Sequence, residues 1–421
     1  MKIASENTKD KFFFNFLRLQ PWLVCLSGAL FFSYVFMQMN LLNVMSQQLM
    51  QSFNLSPVEL GDFSAIYLLG IAISFIPAGI LLDRFRIRLI LLAAMGIEII
   101  AVMLFALAPN ITVAIFARFF CGIVHSIAFL GCMRLINQWL PEYLGFAIGL
   151  AITVGMLGGI VAQVPMMWLV NNVGWHVAIV LVALLGCVIE IILWLVVRDK
   201  VVGTNVLKHL SIFNALHQVV VNRQNCFCAF YAGLLNLPVL LLTALWGNAF
   251  LIQQSKLTAL QASFVMSMVY VGLIIGSPIV GWLSDKVKQR KLIMISGALL
   301  SVLIVLPLVF TKVQTFYWLV LLFLLLGIAS SSQNLSYALV TELNPPCLTG
   351  TALAWVSIII MGSGMLLQPL FGWVVQQNWH VFFYQKLFDN FHIGFLLLPI
   401  GFMISAILAY SIHETYKTYE T

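Results

Sequence analysis

The 421-residue sequence predicts an all-α integral membrane protein, with twelve transmembrane helices in two repeated halves of six. Three observations carry that reading. At 62% hydrophobic and 8% charged residues, with a mean hydropathy of +1.04, the chain has too little polar surface to cover a water-soluble globule. Twelve apolar runs are each long enough to cross a bilayer, which takes ~20 residues of helix. Sliding the chain along itself by 204 positions pairs Pro141 with Pro345, Gly158 with Gly362, Pro165 with Pro369, Trp175 with Trp379 and His176 with His380. With only 13 prolines in the chain, two aligned proline pairs mark an internal duplication.

The runs fall at 19–46, 57–82, 88–108, 111–138, 143–170, 175–197, 226–252, 258–283, 290–311, 315–341, 348–375 and 387–411. Period-two alternation is absent, which excludes barrel strands. The first run follows eighteen residues of polar and basic character, exceeds the ~7–15-residue core of a signal peptide and has no small-x-small cleavage site, so it reads as retained. The second opens at Gly61-Asp62, where Asp62 is expected to cap the helix. The third and sixth carry Glu98 and Glu190. The fourth carries Arg118, with His125 two turns further along the same face. Such charges in hydrocarbon cost at least ~2.5–3.5 kcal/mol each and need partners or water. Arg118 is then either a cavity-facing cation that meets solute or biases a proton site, or half of a buried lock. Glu98 and Glu190 are either structural or proton sites.

Polar residues recur on the first, seventh and tenth runs: Tyr34, Gln38 and Asn40; Asn236, Thr243 and Trp246; Ser330, Gln333, Asn334 and Tyr337. The last four share one helix face. The fifth and eleventh runs add Gln163 and Gln368, each just ahead of a kink proline. Between the halves, 1–197 and 226–421, the linker 198–225 sets Leu207, Leu210, Phe213, Leu216 and Val220 opposite Lys208, Ser211 and His217, the pattern of an amphipathic surface helix.

All but four of the 21 Lys and Arg lie at the N-terminus, in the even-numbered loops or in the C-terminal tail. Only Lys256, Lys312 and Lys386 fall in odd-numbered loops, and Arg118 is within a run. Positive-inside reasoning therefore puts both termini in the cytoplasm and explains the formal +7 charge without a nucleic-acid partner. The seven cysteines have no metal spacing, so neither metal nor cofactor is expected. No G-x-x-x-x-G-K-[ST] loop is present to let ATP drive the protein, and no Ser/His/Asp cluster suggests a membrane enzyme.

One stretch is conspicuous for its charge. Gly79-Ile-Leu-Leu-Asp83-Arg84-Phe-Arg86-Ile-Arg88 recurs 202 positions on as Gly281-Trp-Leu-Ser-Asp285-Lys286-Val-Lys288-Gln-Arg290-Lys291. It resembles the G-x-L-a-D-r-x-G-r-k signature of the major facilitator superfamily and its second-half copy, and Arg118-x-x-x-Gly122 resembles that family's R-x-x-q-G motif. Arg86 stands where the signature has its loop glycine. The fifth run lacks the Gly-Pro of many drug/proton antiporters, and the stretch from Arg134 to Pro141 looks most like the organic-anion and sugar-phosphate permease branch.

The resemblance implies two pseudo-symmetric six-helix halves about a central cavity, lined by the first, fourth, seventh and tenth helices. It implies a cytoplasmic gate at Gly79, Asp83, Arg84, Arg88, Gly281, Asp285 and Lys286, whose glycines fit close helix contact; the alternative is that these charges only anchor topology. The expected protein is a monomeric secondary transporter in a bacterial inner membrane. It would move a small polar solute, anionic or zwitterionic, by alternating access, with proton symport. The candidate solute and proton residues are Arg118, His125, Tyr34, Gln38, Asn236, Trp246, Gln333, Asn334, Tyr337, Gln163 and Gln368. Proton-driven efflux of drugs or metabolites, or a sensor with a transporter fold, are the alternatives.

Overall fold

The computed structural model describes residues 3–199, 212–310, 315–345, 348–377 and 390–414, with side chains from Leu19 onward except those of Asp83, Ile212, Phe213 and Val309. What the sequence suggests for the side chain of Asp83, for linker residues Leu207 to Ser211, and for Cys347, Trp379 and His380 lies outside the described residues. Within them the chain is helical and has no strand.

The first five crossings run along α1 (Ile3–Phe53), α2 (Pro57–Arg84), α3 (Ile87–Ala106), α4 (Ile111–Trp139) and α5 (Leu144–Val161), the last continuing into α6 (Val164–Val196). A single helical stretch from Pro141 to Val196 is 56 residues long, or ~84 Å at 1.5 Å per residue, far beyond a ~30 Å hydrocarbon core. It is therefore two crossings. Gln163, at φ −92° and ψ −95°, breaks the helix first; Gly174, at φ 78° and ψ 162°, takes a conformation nearly confined to glycine and turns the chain back. With that division, the eleven long apolar helices found among the described residues make twelve crossings.

After α7 (Ile212–Val221), the seventh crossing comprises α8 (Arg223–Leu235), a π-helical segment at Pro238–Trp246 and α9 (Gly247–Ser255). Then come α10 (Ala259–Val287), α11 (Arg290–Phe310), and a tenth crossing made of α12 (Phe316–Ser330), a 3-10 turn at Ser331–Asn334 and α13 (Leu335–Leu343). α14 (Thr349–Gln376), α15 (Asn390–Phe395) and α16 (Leu397–Ser411) complete the bundle. In α7, Ala215 and Val219 are buried and His217 and Gln218 exposed, while Leu216 and Val220, expected on the apolar face, are half-buried, so the buried face is turned by about one residue from the expected one.

Packing repeats between the halves. α2 packs on α4 as α10 does on α12; α3 on α6 as α11 on α16; α1 on α5 as α8 on α14. The tightest crossings use glycine, as close approach in a bilayer requires. A Cβ on Gly122 would strike the Tyr67 carbonyl, and one on Gly327 would strike the Val269 carbonyl. The helix starts repeat as well. Ser56 Oγ accepts from Glu59 N at 3.3 Å while Ser56 N donates to Glu59 Oε2 at 2.8 Å, and Thr258 and Gln261 form the same capping box. The cap expected at Asp62 is thus supplied six residues earlier by Ser56.

Candidate functional site

The halves meet where α2 lies along α14, α1 along the π segment, and α5 and α6 along α10. Their joining hydrogen bonds form one layer. Within the first half Asn43 Nδ2 donates to Gln163 Oε1 at 3.1 Å, and across the junction Gln163 Nε2 donates to the Thr243 carbonyl at 3.0 Å and Asn248 N to Asn43 Oδ1 at 3.0 Å. The Tyr270 hydroxyl donates to Asn40 Oδ1 and lies 2.7 Å from the Thr243 hydroxyl. This layer sits toward the end of the bundle opposite the basic loops, the far end. Gly61 against Pro369, Gly159 against Tyr270 and Gly372 against Pro57 add close helix approaches there. Toward the basic end, a Cβ at Gly79, Gly145 or Gly281 would meet nothing within 4 Å.

The close helix contact expected of Gly79 and Gly281 is therefore absent in this conformation. The basic stretches are tied instead within their own halves. Arg88 N donates to Asp199 Oδ1 at 3.1 Å and Arg88 Nη2 to the Trp194 carbonyl at 2.7 Å. Arg290 N and Lys291 N donate to the Glu414 carboxylate, and the Arg290 side chain grips Glu342 through both oxygens at 2.6 and 3.1 Å. Asp285 lies 3.8 Å from Arg290, and Lys286 Nζ sits 4.7 Å over the Trp282 ring. Arg84 is exposed.

The charged cluster lies inside the first half. Arg118 is 1% exposed; its Nη1 donates to the Gln38 carbonyl at 2.9 Å and its guanidinium stacks 4.4 Å over the Tyr67 ring. Its Nε and Nη2 have no partner, nor does either atom of the Gln38 amide. The Tyr67 hydroxyl donates to the Val35 carbonyl at 2.7 Å and meets His125 Nδ1 at 3.0 Å. Because the hydroxyl has one proton, and the shorter bond takes it, His125 Nδ1 is the donor to Tyr67 in this arrangement. The imidazole stands edge-on to Phe32 and near Phe36, whose ring lies 5.8 Å from Tyr270 of the second half. His125 thus reaches the junction of the halves, whereas Arg118 lies behind Tyr67.

Several residues that the sequence offers as solute contacts are committed to packing. Tyr34 is buried and donates to the Val182 carbonyl on α6. Trp246 stacks on Phe371 and donates to the Gln368 carbonyl. Gln163 and Gln368 each donate to a carbonyl of the π segment, Thr243 and Leu240, where widened turns leave main-chain acceptors to satisfy. Gln333 is 6% exposed with Oε1 unpartnered, and Asn334 donates to Ser277 at 2.8 Å. Asn236, Asn334 and Tyr337 are half-buried, as are Phe36 and Phe129, aromatic residues whose role the sequence pattern does not reveal. An apolar cleft of about 790 Å³, lined by Pro165, Trp168, Leu260, Phe264 and Phe316 among others, opens on the flank between the fifth and eighth crossings and lacks the charges of a polar-solute path.

The chain matches the model of the Major Facilitator Superfamily over residues 26–252 and again over 226–418. It is 24% identical over 289 residues to the 4-hydroxybenzoate transporter PcaK of Pseudomonas aeruginosa, a match that takes in 58% of this chain and 62% of that protein. It is 24% identical over 366 residues to the cis,cis-muconate transport protein of Acinetobacter baylyi, across 84% of each chain. The fold is similar to that of a D-xylose-proton symporter, with a TM-score of 0.77 at 15% identity over 94% of this chain and 98% of that one.

Proposed function

The chain belongs to the major facilitator superfamily, and from that premise we propose that it carries a small organic anion across the membrane by alternating access, in symport with protons. It is a solute transporter and not an enzyme. The observation that carries the reading is the fixed cation at Arg118. A guanidinium buried behind Tyr67 and His125, with Nε and Nη2 unused, places positive potential beside the junction of the halves and favours an anion there. The names of the two relatives agree in kind, since 4-hydroxybenzoate and muconate are both carboxylates built on flat carbon skeletons.

The solute sits beside Phe36, Phe129 and His125, where the Phe36 ring meets Tyr270 of the second half, next to the layer that joins the halves. Both termini are cytoplasmic, the membrane is a bacterial inner membrane and the unit is a monomer. The six-helix units are 1–197 and 226–421. The far end is the outer face, so the conformation described is closed outward. Closing the basic end brings together the stretches holding Gly79, Asp83, Arg84 and Arg88 and Gly281, Asp285 and Lys286, which then act as the gate. The test is uptake of labelled 4-hydroxybenzoate and cis,cis-muconate into proteoliposomes with and without a pH gradient. Accumulation of either acid that needs the gradient is the expected result; binding without accumulation would overturn transport in favour of a sensor.

A further inference from the structure

Glu98, at the middle of α3, is fully buried, and no nitrogen or oxygen donor meets either carboxyl oxygen, the weakly donating Cys121 thiol being the one polar group beside it. It lies within electrostatic reach of Arg118 and beside the Cys121 thiol, both on α4. The other titratable groups facing it are Tyr34 of α1 and Tyr67 of α2, with Cys187 of α6 beyond Tyr34. Glu98 and Arg118, each with polar atoms that meet no nitrogen or oxygen partner, therefore come together in the first half beside Tyr34 and Tyr67.

An ionised carboxylate without hydrogen bonds is the least favourable state for such a group in a dry interior, and a neutral carboxyl the most favourable. A cation nearby, with Nε and Nη2 idle, reverses that preference once carboxylate and guanidinium come together. We propose that Glu98 is a reversible proton-binding site partnered by Arg118, which deepens the proton-symport reading above and rests on it for its role in transport. In the conformation described the carboxyl holds its proton. On release the O–H bond breaks, the electron pair stays on the carboxylate, the proton passes to water, and the carboxylate binds the idle face of Arg118, which keeps its own protons throughout. The move pulls the guanidinium from Tyr67, whose hydroxyl holds His125 at the junction of the halves, so that proton occupancy and solute geometry are linked.

The experiment is an infrared pH titration of the purified protein in nanodiscs, without solute, on wild type, Glu98→Gln and Glu190→Gln, with thermal unfolding to confirm that each is folded. A carboxylic C=O band that fades as pH rises, disappears in Glu98→Gln and persists in Glu190→Gln is expected. If Glu98→Gln does not fold, Glu98→Asp replaces it and should move the band. Persistence of the wild-type band, unshifted, in a Glu98 variant overturns the proposal, as does absence of any titrating carboxyl band in wild type. In proteoliposomes given 4-hydroxybenzoate or cis,cis-muconate, Glu98→Gln should lose pH-driven accumulation by about tenfold or more while keeping exchange. Normal pH-driven accumulation in that variant overturns the role in coupling. If wild type carries neither acid, it is the proposed solute class that fails, and the infrared band alone decides the proton site.

Discussion

The two halves share one helix crossing and differ in what they bury beside it. In the first, α2 and α4 touch at Gly70 and Gly122, with Tyr67, Arg118 and His125 around the contact. In the second, α10 and α12 touch at Gly272 and Gly327, and the same places relative to those glycines hold Val269, Phe323 and Ser330. Glu98 on α3 has its counterpart on α11 in the stretch Leu300-Ser301-Val302, which has no acid. The second half therefore builds the crossing with no charge at all. The crossing itself does not require Glu98, Arg118 or His125, so their retention in hydrocarbon points to function.

The shared part of the comparison predicts the largest effect. Gly122→Ala and Gly327→Ala should each destabilise the protein by about 3 kcal/mol, the upper end for overpacking, because the new Cβ meets backbone that cannot rotate aside. Thermal unfolding of the purified variants checks this. A large loss in one half with none in the other would mean that the crossings are not equivalent.

The unshared part predicts a separation of stability from transport. Giving the first half the apolar character of the second, Glu98→Leu with Arg118→Phe, should leave the fold intact, since a buried charge pair exchanged for apolar groups of similar volume is often neutral or stabilising by ~1–4 kcal/mol. Uptake should nevertheless fall by about 100-fold or more, a factor that corresponds to ~2.8 kcal/mol. Arg118→Phe alone should be less stable than the double variant at high pH, where Glu98 gives up its proton and is left without the cation that would pair with it, and the two should converge at low pH. Equal stability of the single and double variants at high pH would show that the two groups are uncoupled.

What the sequence revealed follows from how locally each feature is encoded. Apolar length, basic loops and repeated Pro and Gly are read one residue at a time, and they place the twelve crossings, including the division near Gly174. The rotation of each helix about its axis is not local. In an apolar bundle both lipid and neighbouring helices face hydrophobic side chains, so the pattern does not say that Tyr34, Trp246, Gln163 and Gln368 turn into packing. Nor does any local signal announce the π segment, whose carbonyls occupy those glutamines. Ser56-x-x-Glu59 and Thr258-x-x-Gln261 recur 202 positions apart and were legible as caps, but the more conspicuous Gly61-Asp62 draws the expectation away from them.

The two glutamines extend the comparison at smaller energies. Gln163 bonds from the first half to the π segment of the second, while Gln368 bonds to it within the second. Gln163→Ala should therefore favour opening of the far end, and Gln368→Ala should loosen the second half without changing access. A hydrogen bond of ~1 kcal/mol corresponds to about a fivefold shift between the two conformations. Labelling of a cysteine placed at Ser263, beside the layer, should quicken in Gln163→Ala and stay unchanged in Gln368→Ala. Equal labelling in both would mean that the layer does not hold the halves together.

The smallest effect tests whether the basic ends are equivalent. Asp199 accepts from the amide at the start of α3, and Glu414 accepts from the two amides at the start of α11, so each carboxylate caps a helix N-terminus and faces its positive dipole end. Asp199→Asn and Glu414→Gln keep hydrogen-bonding oxygens and remove only the charge, so each should lower stability by ~0.3–1 kcal/mol, an effect that shrinks at high salt. Glu414 holds two amides to the single one at Asp199, which places its loss toward the upper end of that range. Thermal unfolding at low and high salt measures both. A loss that salt does not reduce would assign the contribution to hydrogen-bond geometry rather than charge, and a larger loss at Asp199 would show that the first half leans harder on its cap than the second.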